Sequence, residues 1–346
     1  MSGNSNQTAT MNAKVILLAH GSGGKATHQL IDDLFIPRLN NKYLAELSDS
    51  ALLPLSADKI LFTTDAYVID PPFFPGGDIG KLAVNGTIND LSVCGGKPLY
   101  LSLSLILEEG FPLEQLTIII ESIAEAAKKA GVSVVTGDTK VVGRGSADKI
   151  FITTSGVATL LTESVLSIGS IRPGDKIIVS GSIGDHGIAV MLKREGLDLT
   201  ADIISDTAPL NEMTARILSE HHAVRFMRDP TRGGIATTLN EIALQAQLGI
   251  IINEEAVPVK PAVAGASEIL GLDPLYIANE GKLLAVVSPD KADRVLHIMR
   301  DCKYGSDAAI IGTVIADSPR KVILRTRVGG SRLVDMLAGE QLPRIC

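Results

Sequence analysis

Apolar runs of strand length alternate with amphipathic segments of helical period along the chain, and this alternation most constrains its fold. The segment 112–130 carries apolar residues at helical spacing and is followed by Gly131, whereas the runs at 60–64, 99–107 and 149–159 have strand composition. The pattern pauses between residues 161 and 173 and then restarts. Because alternating strands and helices build layered α/β domains, the sequence predicts an α/β protein of two domains.

The chain of 346 residues divides into four predicted regions. Residues 1–12, rich in Ser, Asn and Thr, are expected to form a disordered N-terminal tail, and residues 13–165 the first domain. Residues 166–332 are expected to form a second α/β domain. Residues 333–346 are predicted to be a mobile tail, because periodicity is lost beyond Gly329 and Pro343 cannot lie inside a helix.

Composition and charge exclude several classes of function. The formal net charge is −7, aromatic residues make up 3% of the chain and Trp is absent, so a nucleic-acid-binding surface is not expected. No apolar run approaches the roughly 18 residues that a membrane span needs. Three cysteines without CxxC spacing disfavour a disulfide framework and a structural zinc site. These features predict a cytoplasmic protein that binds neither nucleic acid nor membrane.

Three aspartates follow apolar runs or stand in glycine-flanked turns. They are Asp65, Asp90 (preceded by Asn89) and Asp138 (preceded by Gly137). Carboxylates at the carboxyl ends of strands meet at one edge of a sheet, where oxygen ligands hold Mg²⁺ against nucleotide phosphates. A single aspartate in such a position is more often a turn or cap residue, since Asp bonds its neighbouring backbone well. The three together predict a site for magnesium and a nucleotide.

Two glycine-rich segments are candidates for binding phosphate. The first contains Gly23, Gly24 and Lys25 but lacks the spacing of a Walker P-loop. The second contains Arg228, Arg232, Gly233 and Gly234 and opens a helix, so that two arginines, flexible backbone and a helix N-terminus meet. The alternative for the second segment is a helix cap formed by Asp229, with the arginines on the surface.

Three further side chains are suited to catalysis. Glu280 lies just before the apolar run 283–287, and Lys140 lies two residues after Asp138. A carboxylate and an amine beside a nucleotide can transfer protons and stabilise charge, whereas the alternative is a salt-bridged or solvated pair. Cys346 ends the chain, where a thiol on a mobile tail can enter a cleft, react and reach a partner. The alternative is an incidental terminal cysteine.

Ten motifs spread over nearly the whole chain carry a resemblance to a known family. They are His20-Gly-Ser-Gly-Gly24, Thr64-Asp65, Phe73-Phe-Pro-Gly-Gly77, Gly86-Thr-Ile-Asn-Asp90, Ile106-Leu-Glu-Glu-Gly110, Thr136-Gly-Asp-Thr-Lys-Val141, Gly184-Asp-His-Gly187, Arg228-Asp-Pro-Thr-Arg-Gly-Gly234, Ala278-Asn-Glu-Gly-Lys282 and Pro343-Arg-Ile-Cys346. With them the chain resembles the HypE family of carbamoyl dehydratases from [NiFe]-hydrogenase maturation. That family lies within the superfamily of aminoimidazole ribonucleotide synthetase, selenophosphate synthetase and thiamine-monophosphate kinase. The terminal motif is the one diagnostic of HypE.

The resemblance implies a fold, a reaction and partners. The fold has two α/β domains with mixed sheets, the first of which forms a homodimer through its sheet and binds ATP. In the reaction the terminal cysteine receives a carbamoyl group from the carbamoyltransferase HypF, and the thiocarbamate is dehydrated to a thiocyanate as ATP becomes ADP and phosphate. The cyano group then passes to iron held by HypC and HypD.

The resemblance also suggests roles for particular residues. Cys346 carries the substrate group, and we hypothesise that Glu280 takes the nitrogen proton while Lys140 stabilises oxygen or phosphate charge. The metal ligands expected for Mg²⁺ are Asp65, Asp90 and Asp138, with Asp49 ranked below them. Two other hypotheses remain, a small-molecule kinase similar to selenophosphate synthetase and a non-catalytic scaffold. The first is weakened because residues 20–25 contain no cysteine.

Overall fold

Two α/β units make up the computed structural model, which describes residues 15–22, 24–46, 50–162, 166–197, 203–336 and 344–346. The expected α/β architecture is therefore confirmed. No helix within these ranges is long and apolar enough to cross a membrane. Of the predicted site residues, Gly23 and Asp49 lie outside the described residues, as do residues 1–12.

The first unit is built on a four-stranded mixed sheet. Its elements are strand β1 (Ile60–Tyr67), the short hairpin strands β2 (Phe73–Phe74) and β3 (Gly77–Asp78), strands β4 (Gly96–Glu108), β5 (Ser133–Val142) and β6 (Ile150–Leu160), and helices α1 (Lys25–Leu30), α2 (Ile36–Leu39), α3 (Ile79–Val93) and α4 (Leu113–Ala130). The strand order is β1-β6-β4-β5, in which only β4 and β5 pair in parallel. The strands β1 and β5 are therefore the two edges of this sheet.

The two faces of this sheet differ in exposure. On β4 the leucines at positions 101, 103, 105 and 107 are buried beneath α3 and α4, because alternate residues of a strand point to the same side. The opposite face carries Ile60, Phe62 and Ile106, which are 49%, 67% and 40% exposed. We call these the inner face and the outer face.

Two local predictions in the first unit are wrong. The apolar run at 15–19 predicts a short strand, but the structure forms only one bridge there, between Val15 and Pro112, and the chain then turns into a 3-10 helix at Leu18–Gly21. The Nδ1 atom of His20 accepts the main-chain N–H of Leu17 and helps to close that turn. The expected turn at 137–140 instead lies within β5, because the parallel pairing with β4 continues as far as Val142.

The second unit contains a seven-stranded sheet. Its elements are strands β7 (Lys176–Val179), β8 (Val224–Arg228), β9 (Gly249–Asn253), β10 (Leu284–Val287), β11 (Ala309–Ile315), β12 (Val322–Arg325) and β13 (Ser331–Val334), and helices α5 (Asp185–Glu195), α6 (Asn211–Leu218), α7 (Gly234–Ala246), α8 (Pro261–Leu270) and α9 (Ala292–Arg300). The strand order is β13-β12-β9-β11-β7-β10-β8. Strand β13 spans the boundary that the sequence placed between residues 332 and 333.

Helix α3 joins the two units. It packs on the inner face and also contacts α6 and β8. Asn89 on this helix is buried, and its Nδ2 donates to the carbonyls of Ala208 (3.0 Å) and Glu280 (3.2 Å) while its Oδ1 accepts the N–H of Leu210 (2.8 Å). The amide is thus engaged between the domains. The predicted contact of Asn89 with a cofactor stays a prediction.

Candidate functional site

Buried carboxyl groups from both units meet beside β1. Asp65 lies on β1, Asp90 on α3, Asp229 directly after β8, and Glu280 before β10. The hydroxyl of Tyr67 donates to Oδ2 of Asp65 at 3.1 Å, and Oγ1 of Thr63 donates to Oδ2 of Asp90 at the same distance. We call Asp65, Asp90, Asp229 and Glu280 the carboxyl cluster.

Burial and mutual repulsion raise the pKa values in the carboxyl cluster. Burial, followed by the charges of Asp229 and Asp65, raises the pKa of Asp90 to about 8. Burial is also the main cause that raises the pKa of Asp229 to about 6. The pKa of Glu280 lies well above its usual value because the side chain is buried among these other carboxyls. Carboxyl groups gathered in a partly buried site of this kind favour the entry of a cation.

The chemistry of these side chains fits Mg²⁺ with a nucleotide. No group of three or more His, Cys, Asp or Glu side chains is placed to enclose a metal ion within the described ranges. In proteins Mg²⁺ is usually held by one or two carboxylates together with water and substrate phosphates, and Asp65 and Asp90 can supply such a pair. The unpartnered, buried Oε1 of Glu280 marks one more acceptor in the same place.

Glu280 is held by a neighbouring ion pair. Its main-chain N–H donates to Oδ1 of Asp206 at 3.1 Å, and Oδ2 of Asp206 lies 3.0 Å from Nζ of Lys282. Burial opposes ionisation of Asp206, but Lys282 and other partners outweigh it and lower the pKa of that carboxyl below its usual value. Lys282 therefore neutralises Asp206, whereas the Glu280 carboxyl keeps a raised pKa suited to exchanging a proton.

Asp138 and Lys140 lie at the other edge of the sheet. They are on the outer face of β5, where Nζ of Lys140 is 3.2 Å from Oδ1 of Asp138 and both side chains are largely exposed. Asp138 is in register with Ala66 of β1 across the two intervening strands. Three interstrand spacings amount to about 14 Å.

One chain therefore does not bring the predicted residues together. Asp138 does not join Asp65 and Asp90, and Lys140 does not join Glu280. The prediction assumed that the carboxyl ends of these strands meet at one edge of the sheet. That assumption does not hold, because β1 runs antiparallel to its neighbour and Asp65 lies on the inner face. Asp138 instead projects from an edge strand on the outer face.

An open cavity of about 200 Å³ lies next to Asp138. It is lined by the apolar side chains of Ile31, Phe35, Leu39, Leu103 and Leu105, and by residues 136–140. Gly21 also lines it, close to Gly24 and Lys25 at the start of α1. Gly137 is needed here, because a Cβ at that position would overlap the carbonyl oxygen of Leu103. The first glycine segment and β5 thus border one cavity with apolar walls and a polar edge.

The second glycine segment has a structural use in the fold, whereas its predicted contact with phosphate stays a prediction. Gly233 and Gly234 have φ values of 76° and 59°, and a Cβ on Gly234 would lie 2.7 Å from the carbonyl oxygen of Ile277. The guanidinium of Arg228 forms an ion pair with Glu241 at 3.0 Å. The side chain of Arg232 is exposed. This segment brings backbone close to backbone and delivers Asp229 to the carboxyl cluster. The alternative of Asp229 as a helix cap is wrong, because Gly233 is the N-cap of α7.

The end of the chain pairs with the segment that directly follows β1. The main-chain N–H of Val68 donates to the carbonyl oxygen of Cys346 at 3.2 Å, directly after Tyr67, whose hydroxyl reaches Asp65. Ile345 is 2% exposed and packs in the core of the first unit. Residues 344–346 are docked on the protein in this structure, and the predicted mobility of the tail stays a prediction.

Sequence reasoning missed Asp229, Asp206 and Tyr67 as members of the site. Asp229 carried a signal, since it stands in the same Arg-Asp-Pro motif that was interpreted as a helix start. Asp206 carried none, because it lies in a segment without motif or periodicity, and only the fold places it beside Lys282.

Comparisons with known proteins identify the family of this chain. The family model described as AIR synthase related protein, N-terminal domain, matches residues 47–160, and that of the C-terminal domain matches residues 172–325. The carbamoyl dehydratase HypE of Azotobacter vinelandii is 53% identical over 329 residues, which cover 95% of this chain and 96% of that protein.

Solved structures of HypE proteins are also similar to this chain in sequence and fold. The crystal structure of hydrogenase maturation protein HypE in complex with ATP has a TM-score of 0.92 and 48% identity, covering 95% of this chain and 99% of the other. The crystal structure of a HypE-HypF complex contains a chain with a TM-score of 0.79 and 48% identity. The match covers 89% of this chain and 99% of the other.

The two matched domains, in this order, define a protein of the AIR synthase-related class. Identity of this level over nearly the full length then narrows the assignment. The chain belongs to the HypE family of carbamoyl dehydratases. The family and fold predicted from the motifs are confirmed.

Proposed function

We propose that this protein uses ATP to dehydrate an S-carbamoyl group on Cys346 to an S-cyano group, which supplies cyanide for the iron of [NiFe]-hydrogenase. The observation that carries this proposal is the docking of Cys346 against Val68, three residues beyond Asp65 of the carboxyl cluster. A structure of a family member holds ATP, which supports ATP as the second substrate. The alternative of a selenophosphate-synthetase-like kinase is not favoured, since the relatives are carbamoyl dehydratases.

The reaction needs an activated oxygen and the removal of two protons. The carbamoyl oxygen attacks the γ-phosphorus of ATP, ADP leaves, and the nitrogen loses its first proton. The C–O bond of the phosphate ester then breaks, phosphate leaves, and loss of the second proton gives the C≡N triple bond. Glu280, buried and with a raised pKa, is the group that we assign to take the nitrogen proton.

Asp65 and Asp90 are the residues that we assign to hold Mg²⁺ against the phosphates of ATP. When bound, the ion neutralises charge on the transferring phosphoryl group. The adenine is assigned to the apolar cavity beside β5, with Gly137 and Gly24 close to the phosphates. Asp138 and Lys140 stand at the polar edge of that cavity, where Lys140 can stabilise phosphate charge.

The two halves of this site require a second copy of the chain. The cavity and Lys140 are at the β5 edge, whereas the carboxyl cluster and Cys346 are at the β1 edge, about 14 Å away in one chain. In a homodimer that joins the two sheets through their edges and outer faces, the β5 edge of one copy lies against the β1 edge of the other. Such a dimer also covers Phe62 and Ile60.

A mixed dimer tests this shared site. We expect Glu280→Gln and Lys140→Met to be inactive alone, yet to recover about a quarter of wild-type turnover when co-expressed and randomly paired, because half of the dimers then hold one intact site. ATP-dependent phosphate release from the carbamoylated protein is the measurement. Glu280→Gln paired with Asp90→Asn, both at the β1 edge, is the control and should recover nothing. Recovery absent from both mixtures would place Glu280 and Lys140 in sites of a single chain.

Partners follow from the proposed reaction. A solved complex pairs a family member with HypF, which we assign as the donor of the carbamoyl group. HypC and HypD are assigned as acceptors of the cyano group, and the cytoplasm as the place where the exchange occurs.

Intact-mass analysis tests the proposed function directly. The protein is incubated with HypF, carbamoyl phosphate and ATP, and we expect a carbamoyl adduct on Cys346 that loses one water when ATP is present. A non-hydrolysable ATP analogue should leave the adduct unchanged. An adduct that never loses water, or that appears on another residue, would refute the proposal.

A further inference from the structure

We propose that His186 and Arg194 are positioning residues that hold the carbonyl groups of Ile345 and Arg344 and so keep Cys346 docked against Val68 at the end of β1. Together with the main-chain N–H groups of Val68 and Asp70 they form what we call the terminal clasp. The functional consequence drawn below rests on the proposed function, whereas the docking itself is tested without it.

Each of the last three carbonyl oxygens has a donor in the body of the protein. The N–H groups of Val68 and Asp70 donate to the oxygens of Cys346 and Arg344, both at 3.2 Å, in the manner of an added antiparallel strand. Nε2 of His186 lies 2.8 Å from the oxygen of Ile345. These bonds use main-chain atoms of the tail, so they do not depend on the group that the sulfur carries.

Arg194 ties the tail to the segment that it pairs with. Its Nη2 donates to the carbonyls of Asp70 (2.6 Å) and Arg344 (2.7 Å), and its Nε donates to Asp70 at 2.8 Å. Because the planar guanidinium offers several donors in a fixed arrangement, one side chain can bridge both strands. The side chain of Arg344 adds an ion pair with Asp148.

His186 connects the tail to the catalytic side. Its Nδ1 lies 2.8 Å from Oγ of Ser205, and that oxygen also accepts the N–H of Thr207 at 3.1 Å. Ser205 therefore donates to Nδ1, which leaves the proton on Nε2 to be donated to Ile345. The next residue along the chain, Asp206, accepts the N–H of Glu280. One short segment thus orients both the clasp histidine and the proposed base.

Thiol alkylation measures whether the clasp holds the tail. Cys346 is docked, Cys94 is exposed and Cys302 is buried, so the three cysteines report on docking, on intrinsic reactivity and on global unfolding within one molecule. In Arg194→Met we expect alkylation of Cys346, relative to Cys94, to rise about tenfold to a hundredfold, as loss of hydrogen bonds from a charged group predicts. Cys302 should stay protected. Trypsin should also cleave after Arg344 faster.

Matched variants separate docking from stability. Lys193→Met, the neighbouring exposed cation on α5, should change nothing. His186→Gln keeps an N–H donor and should alter the Cys346 rate less than His186→Phe. If His186→Phe does not fold, Asp148→Asn, which removes only the Arg344 ion pair, should still give a rise smaller than that of Arg194→Met. An unchanged ratio of Cys346 to Cys94 in Arg194→Met, or a parallel rise at Cys302, would overturn the proposal.

Under the proposed function the clasp affects the two reactions in opposite directions. In Arg194→Met the transfer of the carbamoyl group from HypF should be faster, because Cys346 leaves the protein body more readily. Dehydration of the pre-carbamoylated protein with ATP should be slower by about the same factor as the rise in alkylation. If the wild-type protein forms no cyano adduct, the proposed function is refuted, whereas the alkylation rates still test the terminal clasp. If carbamoyl transfer and dehydration both become slower in Arg194→Met, the terminal clasp does not control the movement of Cys346 between the two reactions.

Discussion

Replacing Cys346 by serine is expected to abolish formation of the carbamoyl and cyano adducts while leaving the fold intact. The change removes one sulfur atom, and the bonds that dock the terminus are made by main-chain atoms. A hydroxyl ionises far less readily than a thiol, so it is a much weaker nucleophile toward the carbamoyl donor. Intact-mass analysis after incubation with HypF, carbamoyl phosphate and ATP should show the unmodified mass alone.

Cys94 provides the matched control for this substitution. Its side chain is exposed, whereas Cys302 is buried, so Cys94→Ser removes an accessible thiol without disturbing the core. We expect Cys94→Ser to accumulate the adduct and to lose water from it at the wild-type rate. An adduct in Cys346→Ser, or its disappearance in Cys94→Ser, would show that the terminal sulfur is not the carrier.

Replacing Glu280 by glutamine is expected to leave carbamoylation unchanged and to slow dehydration by about a hundredfold to ten-thousandfold, the usual contribution of a positioned base. Glutamine keeps the shape of the side chain but does not accept the nitrogen proton. The adduct on Cys346 should therefore accumulate without losing water, which single-turnover mass analysis with excess ATP would follow. Glu255→Gln, at an exposed glutamate, is the control.

The same substitution should change how stability depends on pH. Burial holds the pKa of Glu280 above its value in the unfolded chain, so the folded wild type binds more protons and loses stability as pH rises between those two values. Glutamine does not titrate, so the Glu280→Gln variant does not lose this part of its stability as pH rises. The melting temperature of Glu280→Gln relative to wild type should therefore increase from pH 5 to pH 8. A wild-type rate of water loss in this variant would reject Glu280 as the base.

Local patterns accounted for the elements of the fold. The predicted helix at 112–130 is observed as α4, which ends at Gly131 in a left-handed conformation, because helical spacing and a C-terminal glycine are encoded within a few residues. The runs of strand composition at 60–64, 99–107 and 149–159 are likewise observed, as β1, β4 and β6. Errors arose where pairing partners distant in sequence decided the outcome, as in the extension of β5 through Gly137 and Asp138.

The site was predicted in its parts but not in its grouping. Asp65, Asp90, Glu280 and Cys346 lie together at one edge, as the motifs suggested, whereas Asp138 and Lys140 lie at the other edge. Strand order decides this, and the order β1-β6-β4-β5 is set by contacts between residues up to about a hundred positions apart. Asp206 and Asp229 entered the site for the same reason, because the packing of the two domains places them there.

By itself, the amino-acid sequence determined the family, the alternation of strands and helices, and the chemical identity of the reactive groups, since each of these is written in short stretches of neighbouring residues. Only the tertiary structure decided which groups share a face or an edge, which asparagine joins the domains, and where the terminal cysteine rests. The physical reason is that burial, raised pKa values and main-chain docking arise between segments far apart in the chain, and these interactions exist only once the sheets have paired.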